Sequence, residues 1–251
     1  MYSIIKPKIQ KLMINLLPRS HRRTYTPFII LGQGRTGSTL LQAALRSSPQ
    51  VAIEGEIFHR EKPCSGEDFD LIMANLLRRY PPVVKAVGCK IFYGHLAQQE
   101  WLQFQALPDF KIIHLMRRNQ VKRFLSLQIA QKTDQWRENK PGMKPALEQR
   151  QVHIDQRQLL RFIHLSHVWT EQARQRFKDR ETLEIYYEEL VADFDRVVTE
   201  AITFIGATQW DRAKVNLRKQ NPEAMRDLIL NYDELKSAFA KTPWRIYFDE
   251  A

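Results

Sequence analysis

Residues 27–48 read PFIILGQGRTGSTLLQAALRSS, and the order of residue types in this stretch decides the fold. Phe28-Ile29-Ile30-Leu31 is a short apolar run that stops at glycines, as a buried parallel strand does. From Ser38 onward, Leu40, Leu41, Ala44 and Leu45 fall at helical spacing. Strand, glycine-rich loop and helix therefore follow one another without a break. Such a loop turns successive backbone N–H groups toward one point, and the helix behind it adds the positive end of its dipole. Both favour an oxygen of a phosphate or sulfate group, whatever side chains surround it.

The loop Gly32-Gln33-Gly34-Arg35-Thr36-Gly37-Ser38-Thr39 satisfies G-x-x-x-x-G-K-[ST] everywhere except at Ser38, which stands in the lysine position. The charge has moved to Arg35. A second departure agrees with the first. Nucleoside triphosphatases close another strand with an aspartate that helps to hold magnesium, whereas KIIHLMRR (111–118) ends in Arg117 and Arg118. An arginine pair repels a metal ion and attracts a further phosphate. The loop suits a phosphate-like group without a metal.

Working outward, VAIEGEIF (51–58), KAVGCKIFYGHL (85–96), FKIIHLMRRN (110–119) and TLEIYYEEL (182–190) read as further extended segments. Helical patterns run from Val121, with an interruption around Lys140–Pro145, then from Val152 to Phe177 and from Arg196 to Ile205. Strands alternating with helices predict one P-loop-like α/β domain over 26–251, with a central parallel sheet flanked by helices. Residues 1–25 form a basic extension. In it Ile5, Ile9, Leu12, Leu16 and Leu17 make one helical stripe, with Lys6, Lys8 and Lys11 outside it. That pattern fits either a helix packed on the body or a peripheral contact with an anionic membrane.

Hydrophobic residues at 43% and charged residues at 27% exclude wholesale disorder. A net charge of +11 implies an anionic partner. The arginines and lysines are scattered and no nucleic-acid recognition motif is present, so nucleic acid is not the expected partner. Cys64 and Cys89 make neither a disulfide framework nor a metal ligand set. No apolar run reaches the ~18 residues of a spanning helix, and the opening segment lacks a small-residue cleavage site. These features predict a cytoplasmic protein, with any membrane contact at the inner face.

Several motifs resemble those of sulfotransferases that use 3′-phosphoadenosine 5′-phosphosulfate (PAPS). Gly32–Leu41 resembles their 5′-phosphosulfate loop. Arg118-Asn119 followed by Ser126 resembles their 3′-phosphate motif R-N-P-x-x-x-x-x-S, with Gln120 in place of the proline. Tyr187-Glu188-Glu189-Leu190 is similar to their Y-E-D/E-L segment. RRNQVKRFLS, LRKQNP and TPW look closest to bacterial enzymes of the nodulation-factor and polysaccharide type. The resemblance implies that Gly34, Arg35, Thr36, Gly37, Ser38 and Thr39 grip the 5′-phosphosulfate. It implies that Arg118 and Ser126, with Lys219 as a second cation, hold the 3′-phosphate, and that Tyr187 lies near the adenine.

Sulfuryl transfer needs a fixed cation for the charge that develops on the bridging oxygen, a role for Arg35, and a base for the acceptor hydroxyl. Glu56 matches the family's catalytic Gly-Glu position. Glu54, two residues earlier, shares its face if the segment is a strand. His95 is the rival base, with His59 behind it. No metal ligand set is visible in the sequence. Trp136, Arg137, Lys140 and Lys144, within a polar region from Lys132 to Gln158, are candidates for an acceptor cleft or lid suited to a sugar. A nucleotide kinase of similar fold and a non-enzymatic basic module are the competing readings.

Overall fold

β1 (Thr26–Gly32), β2 (Val51–Ile53), β3 (Ala86–Phe92), β4 (Lys111–Met116) and β5 (Thr182–Tyr186) make one parallel sheet, ordered β2-β3-β1-β4-β5. The computed structural model describes residues 24–59, 69–136, 145–215 and 223–249. The N-terminal stripe, Cys64, Arg137, Lys140, Lys144 and Lys219 lie outside the described residues. The helices are α1 (Ser38–Arg46), α2 (Phe69–Leu76), α3 (Gln98–Ala106), α4 (Gln120–Thr133), α5 (Leu147–Arg150), α6 (Gln156–Arg176), α7 (Tyr187–Ala192), α8 (Phe194–Phe204), α9 (Met225–Leu228) and α10 (Tyr232–Phe239).

β1 is central because both its faces are covered. Phe28 and Ile30 pack with Leu41 and Leu45 of α1 and with Val198 and Ile202 of α8. Ile29 and Leu31, pointing the other way, meet Ile72 of α2, Phe104 of α3 and the end of α6 at Ala173 and Phe177. Full burial of each such side chain contributes ~1.5–3 kcal/mol, which is why the run carries no polar residue. A third apolar cluster joins α4, α6, α10 and the closing turn Pro243–Phe248.

From β1 the chain goes to β2 at one edge, comes back to β3 beside β1, and then crosses to β4 on the other side of β1. The ends of these strands therefore bound a crevice of the kind in which open α/β sheets bind ligands. Among the described residues, no helix is long and apolar enough to cross a membrane.

Three boundaries differ from the sequence expectation. β2 stops at Ile53, because after Glu54 N–H donates to Gly88 O (2.8 Å) the chain turns through Gly55, whose carbonyl accepts from Lys90 N–H (3.1 Å). Glu54 and Glu56 consequently share no strand face. The long helix begins at Gln156, capped by Asp155, because Val152 is engaged with Leu228 and Leu230 through backbone hydrogen bonds of 2.9 Å each. Tyr187 opens α7 instead of ending the strand.

Candidate active site

Gly37 caps the N-terminus of α1 at φ 85°, and a Cβ there would lie 2.6 Å from Cδ2 of Tyr187. Glycine is thus required both by conformation and by the ring packed on it. Arg35 also has positive φ, 67°, where a side chain costs roughly 1–2 kcal/mol. Contacts on every side hold it there. Its carbonyl accepts from Arg117 Nη1 (3.1 Å), its Nε donates to Ser126 Oγ (2.9 Å), and its Nη1 donates to the Trp136 carbonyl (2.9 Å). Thr36 Oγ1 donates to Gln33 O (2.8 Å), and Arg123 Nη1 reaches Gly34 O at 3.3 Å. Ser38 is buried and Thr39 half-buried in the first turn of α1.

Three guanidinium groups thus gather under the loop. Burial, followed by the charge of Arg117, lowers the Arg35 pKa to about 10. The same two causes bring Arg123 to about 9, and burial also lowers Arg117. Arg117 does not face outward beside Arg118, as the sequence suggested for a phosphate-seeking pair. Its guanidinium lies 4.6 Å from the ring centre of Tyr187 and bonds to the loop backbone.

The junction of β4 and α4 is built separately. The N–H groups of Arg118 and Asn119 donate to the two carboxylate oxygens of Glu188 at 3.0 and 3.1 Å. Asn119 caps α4 by accepting from Lys122 N–H (2.8 Å) and donates to Tyr247 O (2.9 Å). The Arg118 side chain, half-exposed, pairs with Glu189 and lies 3.9 Å over the Tyr186 ring. Gln120 ties the turn through the Arg117 carbonyl and receives Arg123 Nε at 2.9 Å. The loop after β1, the β4–α4 junction and the β5–α7 junction therefore meet at one edge. The Arg35–Ser126 bond links two of them directly.

The base candidates also converge. Glu56 Oε1 lies 3.0 Å from Lys90 Nζ, which is fully buried at the centre of β3. Glu56 Oε2 lies 3.9 Å from His95 Nε2. His59 stands edge-on to His95, with ring centres 5.4 Å apart. Glu56, His59 and His95 can offer three ligand atoms within 4.8 Å of one another, a geometry open to a metal ion. One hydrogen bond argues for another use. Phe92 N–H donates to His95 Nδ1 (3.2 Å), so in the neutral ring the proton sits on Nε2, facing Glu56. Coordination through Nε2 would set an N–H against an N–H.

On the other face, His114 of β4 accepts from or donates to Tyr93 OH at 2.5 Å and lies 3.5 Å from Glu184. Burial lowers the His114 pKa to about 4 and raises that of Tyr93 to about 12. Sequence reasoning missed Lys90, Arg123 and His114 as members of these networks. The signal was available for two of them: a charged or polar residue inside an otherwise apolar strand requires a partner.

A profile described as the sulfotransferase family matches residues 94–212. That span includes Arg118, Ser126 and Tyr187 but not the glycine loop or Glu56. Over 94% of the chain and 96% of the relative, the sequence is 24% identical to Nodulation protein H of Rhizobium tropici. It is 26% identical to Nodulation protein H of Rhizobium meliloti over 90% of the chain and 96% of the relative. The fold matches the crystal structure of a sulfotransferase from Alicyclobacillus acidocaldarius with a TM-score of 0.52 at 20% identity, covering 91% of this chain and 94% of that one.

Proposed function

We propose that the chain is a sulfotransferase, as the family match over residues 94–212 and the similarity to Nodulation protein H support, and that it moves a sulfuryl group from PAPS to a carbohydrate hydroxyl, with Glu56 as base. The observation that carries the donor is the single cradle formed when Arg35 of the glycine loop bonds Ser126 of α4. The residues fit an anionic donor. Among the described residues, two buried donors at the loop, Gln33 Nε2 and Arg117 Nε, have no hydrogen-bond partner, and bound anionic oxygens can supply one. In this reading the N–H groups from Gly34 to Thr39 and the Arg35 guanidinium hold the 5′ end. Arg118 and Ser126, with Lys219 beyond the described residues, hold the 3′-phosphate, and Tyr187 borders the adenine. The charge is supplied by arginines, so the reading assigns no metal ion.

When bound, the donor supplies a sulfur whose bond to the 5′-phosphate oxygen breaks, with its electron pair, as the acceptor oxygen bonds in line. Arg35 neutralises charge at the departing oxygen. Glu56 takes the acceptor proton, and Lys90, 3.0 Å from Oε1, keeps the carboxylate oriented. His95 presents an N–H toward Glu56, which suits it to donate to that carboxylate and not to act as base itself. Similarity to Nodulation protein H and the resemblance to polysaccharide-type enzymes support a saccharide acceptor.

Titration calorimetry with 3′-phosphoadenosine 5′-phosphate tests the donor, against AMP and magnesium-ATP, with Arg118→Ala alongside. Binding of the bisphosphate without metal, lost in the variant, is the expected result. Tighter binding of magnesium-ATP that ignores Arg118 would replace the proposal with a kinase.

A further inference from the structure

Two adjoining hollows lie between α3 and α6, and they share Gln98, Gln172 and Arg176. The inner one, about 190 Å³, reaches Leu31 near the end of β1 and Tyr93 and Leu96, which bracket the His95 position. The outer one, about 840 Å³, runs along α6 and falls within the ~300–1,000 Å³ of small-molecule sites. The inner hollow thus touches β1 at the residue just before the glycine loop and the chain on either side of His95.

Its chemistry is specific. Trp169, 42% exposed, gives an aromatic face in the inner hollow. Around it stand the amides of Gln98, Gln172 and Gln175, all exposed, each able both to donate and to accept. An aromatic face beside such amides matches a sugar ring, which has an apolar C–H face and hydroxyls of both hydrogen-bonding senses. Arg176 is held by Gln98 Oε1 (3.2 Å) and lies 4.7 Å from the ring centre of Trp101, so it is a fixed wall of the groove. Charge narrows the ligand further. Glu171 in the same lining is paired with Arg174, which also bonds Glu184, so these two carboxylates against Arg174 and Arg176 leave the groove close to neutral on a chain of net charge +11. An acidic glycan would find better sites elsewhere on the surface.

We infer that this groove is the acceptor subsite and that it takes a neutral oligosaccharide, an assignment that rests on the sulfotransferase reading. Calorimetry on the full chain, loaded with 3′-phosphoadenosine 5′-phosphate, tests it with chitotetraose, cellotetraose and maltotetraose as probes and a chondroitin tetrasaccharide as the acidic comparison. One of the neutral probes is expected to bind. Trp169→Ala and, separately, Gln172→Ala should weaken it by about tenfold and leave bisphosphate affinity unchanged, which also shows that the variants are folded. Unchanged saccharide affinity in both variants, or preference for the acidic probe, overturns the assignment while the donor reading stands. Failure of the parent chain to bind the bisphosphate at all sinks the donor reading, and the subsite falls with it.

Discussion

Replacing His114 with glutamine should remove most of one acid-sensitive component of stability. His114 is 1% exposed, between Tyr93 and Glu184, and its pKa is about 4 in the folded chain against an ordinary 6.5. Burial is the largest cause. Glu184 opposes it, and Arg174, itself bonded to Glu184 at 2.7 Å, adds to it. The unfolded chain therefore takes up a proton between pH 6.5 and about 4 that the folded chain refuses, so stability falls as pH falls through this window. With those two values, lowering the pH from 7 to 4.5 costs about 2 kcal/mol through this residue alone.

Glutamine can accept from Tyr93 OH and donate toward Glu184, and it does not titrate in this range. The assay is urea unfolding of parent and His114→Gln at pH 7 and pH 4.5. Both chains keep the Glu184–Arg174 pair, so its own loss with acid cancels in the difference. The variant should be equal to or about 1 kcal/mol less stable than the parent at pH 7. Its loss on acidification should be smaller than the parent's by about 2 kcal/mol. Parallel losses in the two chains would refute the claim that the fold keeps His114 neutral.

Glu56→Gln should lower turnover by ~10²–10⁴-fold with bisphosphate affinity retained. It should also lower the thermal midpoint, because Lys90 is left buried beside an amide; adding Lys90→Met should restore the midpoint without restoring turnover, and recovery of turnover would remove Glu56 as base. Gly37→Ala puts a methyl group against Tyr187 at a φ of 85°, so calorimetry should show bisphosphate binding lost. Retained affinity would mean that the turn is not part of the cradle. Arg117→Met removes the donor that holds the Arg35 carbonyl, and should raise the bisphosphate Kd by about tenfold or more; a variant equal to the parent would show that Arg35 keeps its geometry unaided.

The parts of this molecule that were legible in its sequence are those whose reasons are local. A parallel strand covered on both faces is largely apolar, so β1, β3 and β4 stand out in spite of Lys90 and His114, and the glycines after β1 mark the turn into α1. α3 was missed because only Trp101 and Phe104 of its nine residues are buried, too few for a helical period to show. The extent of β2 was misjudged because its end depends on Gly55 meeting Lys90 of another strand. Arg117 is the sharper case. Beside Arg118 in sequence it looks like half of a phosphate-binding pair, yet its inward direction depends on Tyr187 lying against Gly37, a contact between residues from separate parts of the chain.

Lys90 and His114 show how more could have been read. Each flanks β1, Lys90 opposite Ile30 and His114 opposite Leu31, and the alternation of β1 assigns the two to opposite faces of the sheet. An ionisable group so placed demands a polar partner nearby. For Lys90 that partner is Glu56, and for His114 it is Tyr93 with Glu184. The demand of Lys90 gives Glu56 its rank above Glu54 independently of any resemblance, since Glu54 lies exposed while Glu56 reaches the one cation buried in β3. Paired in this way, Lys90 does for the proposed base what Arg117 does for Arg35. In both places a buried cation, and not the reacting residue's own backbone, fixes the geometry at the sheet edge.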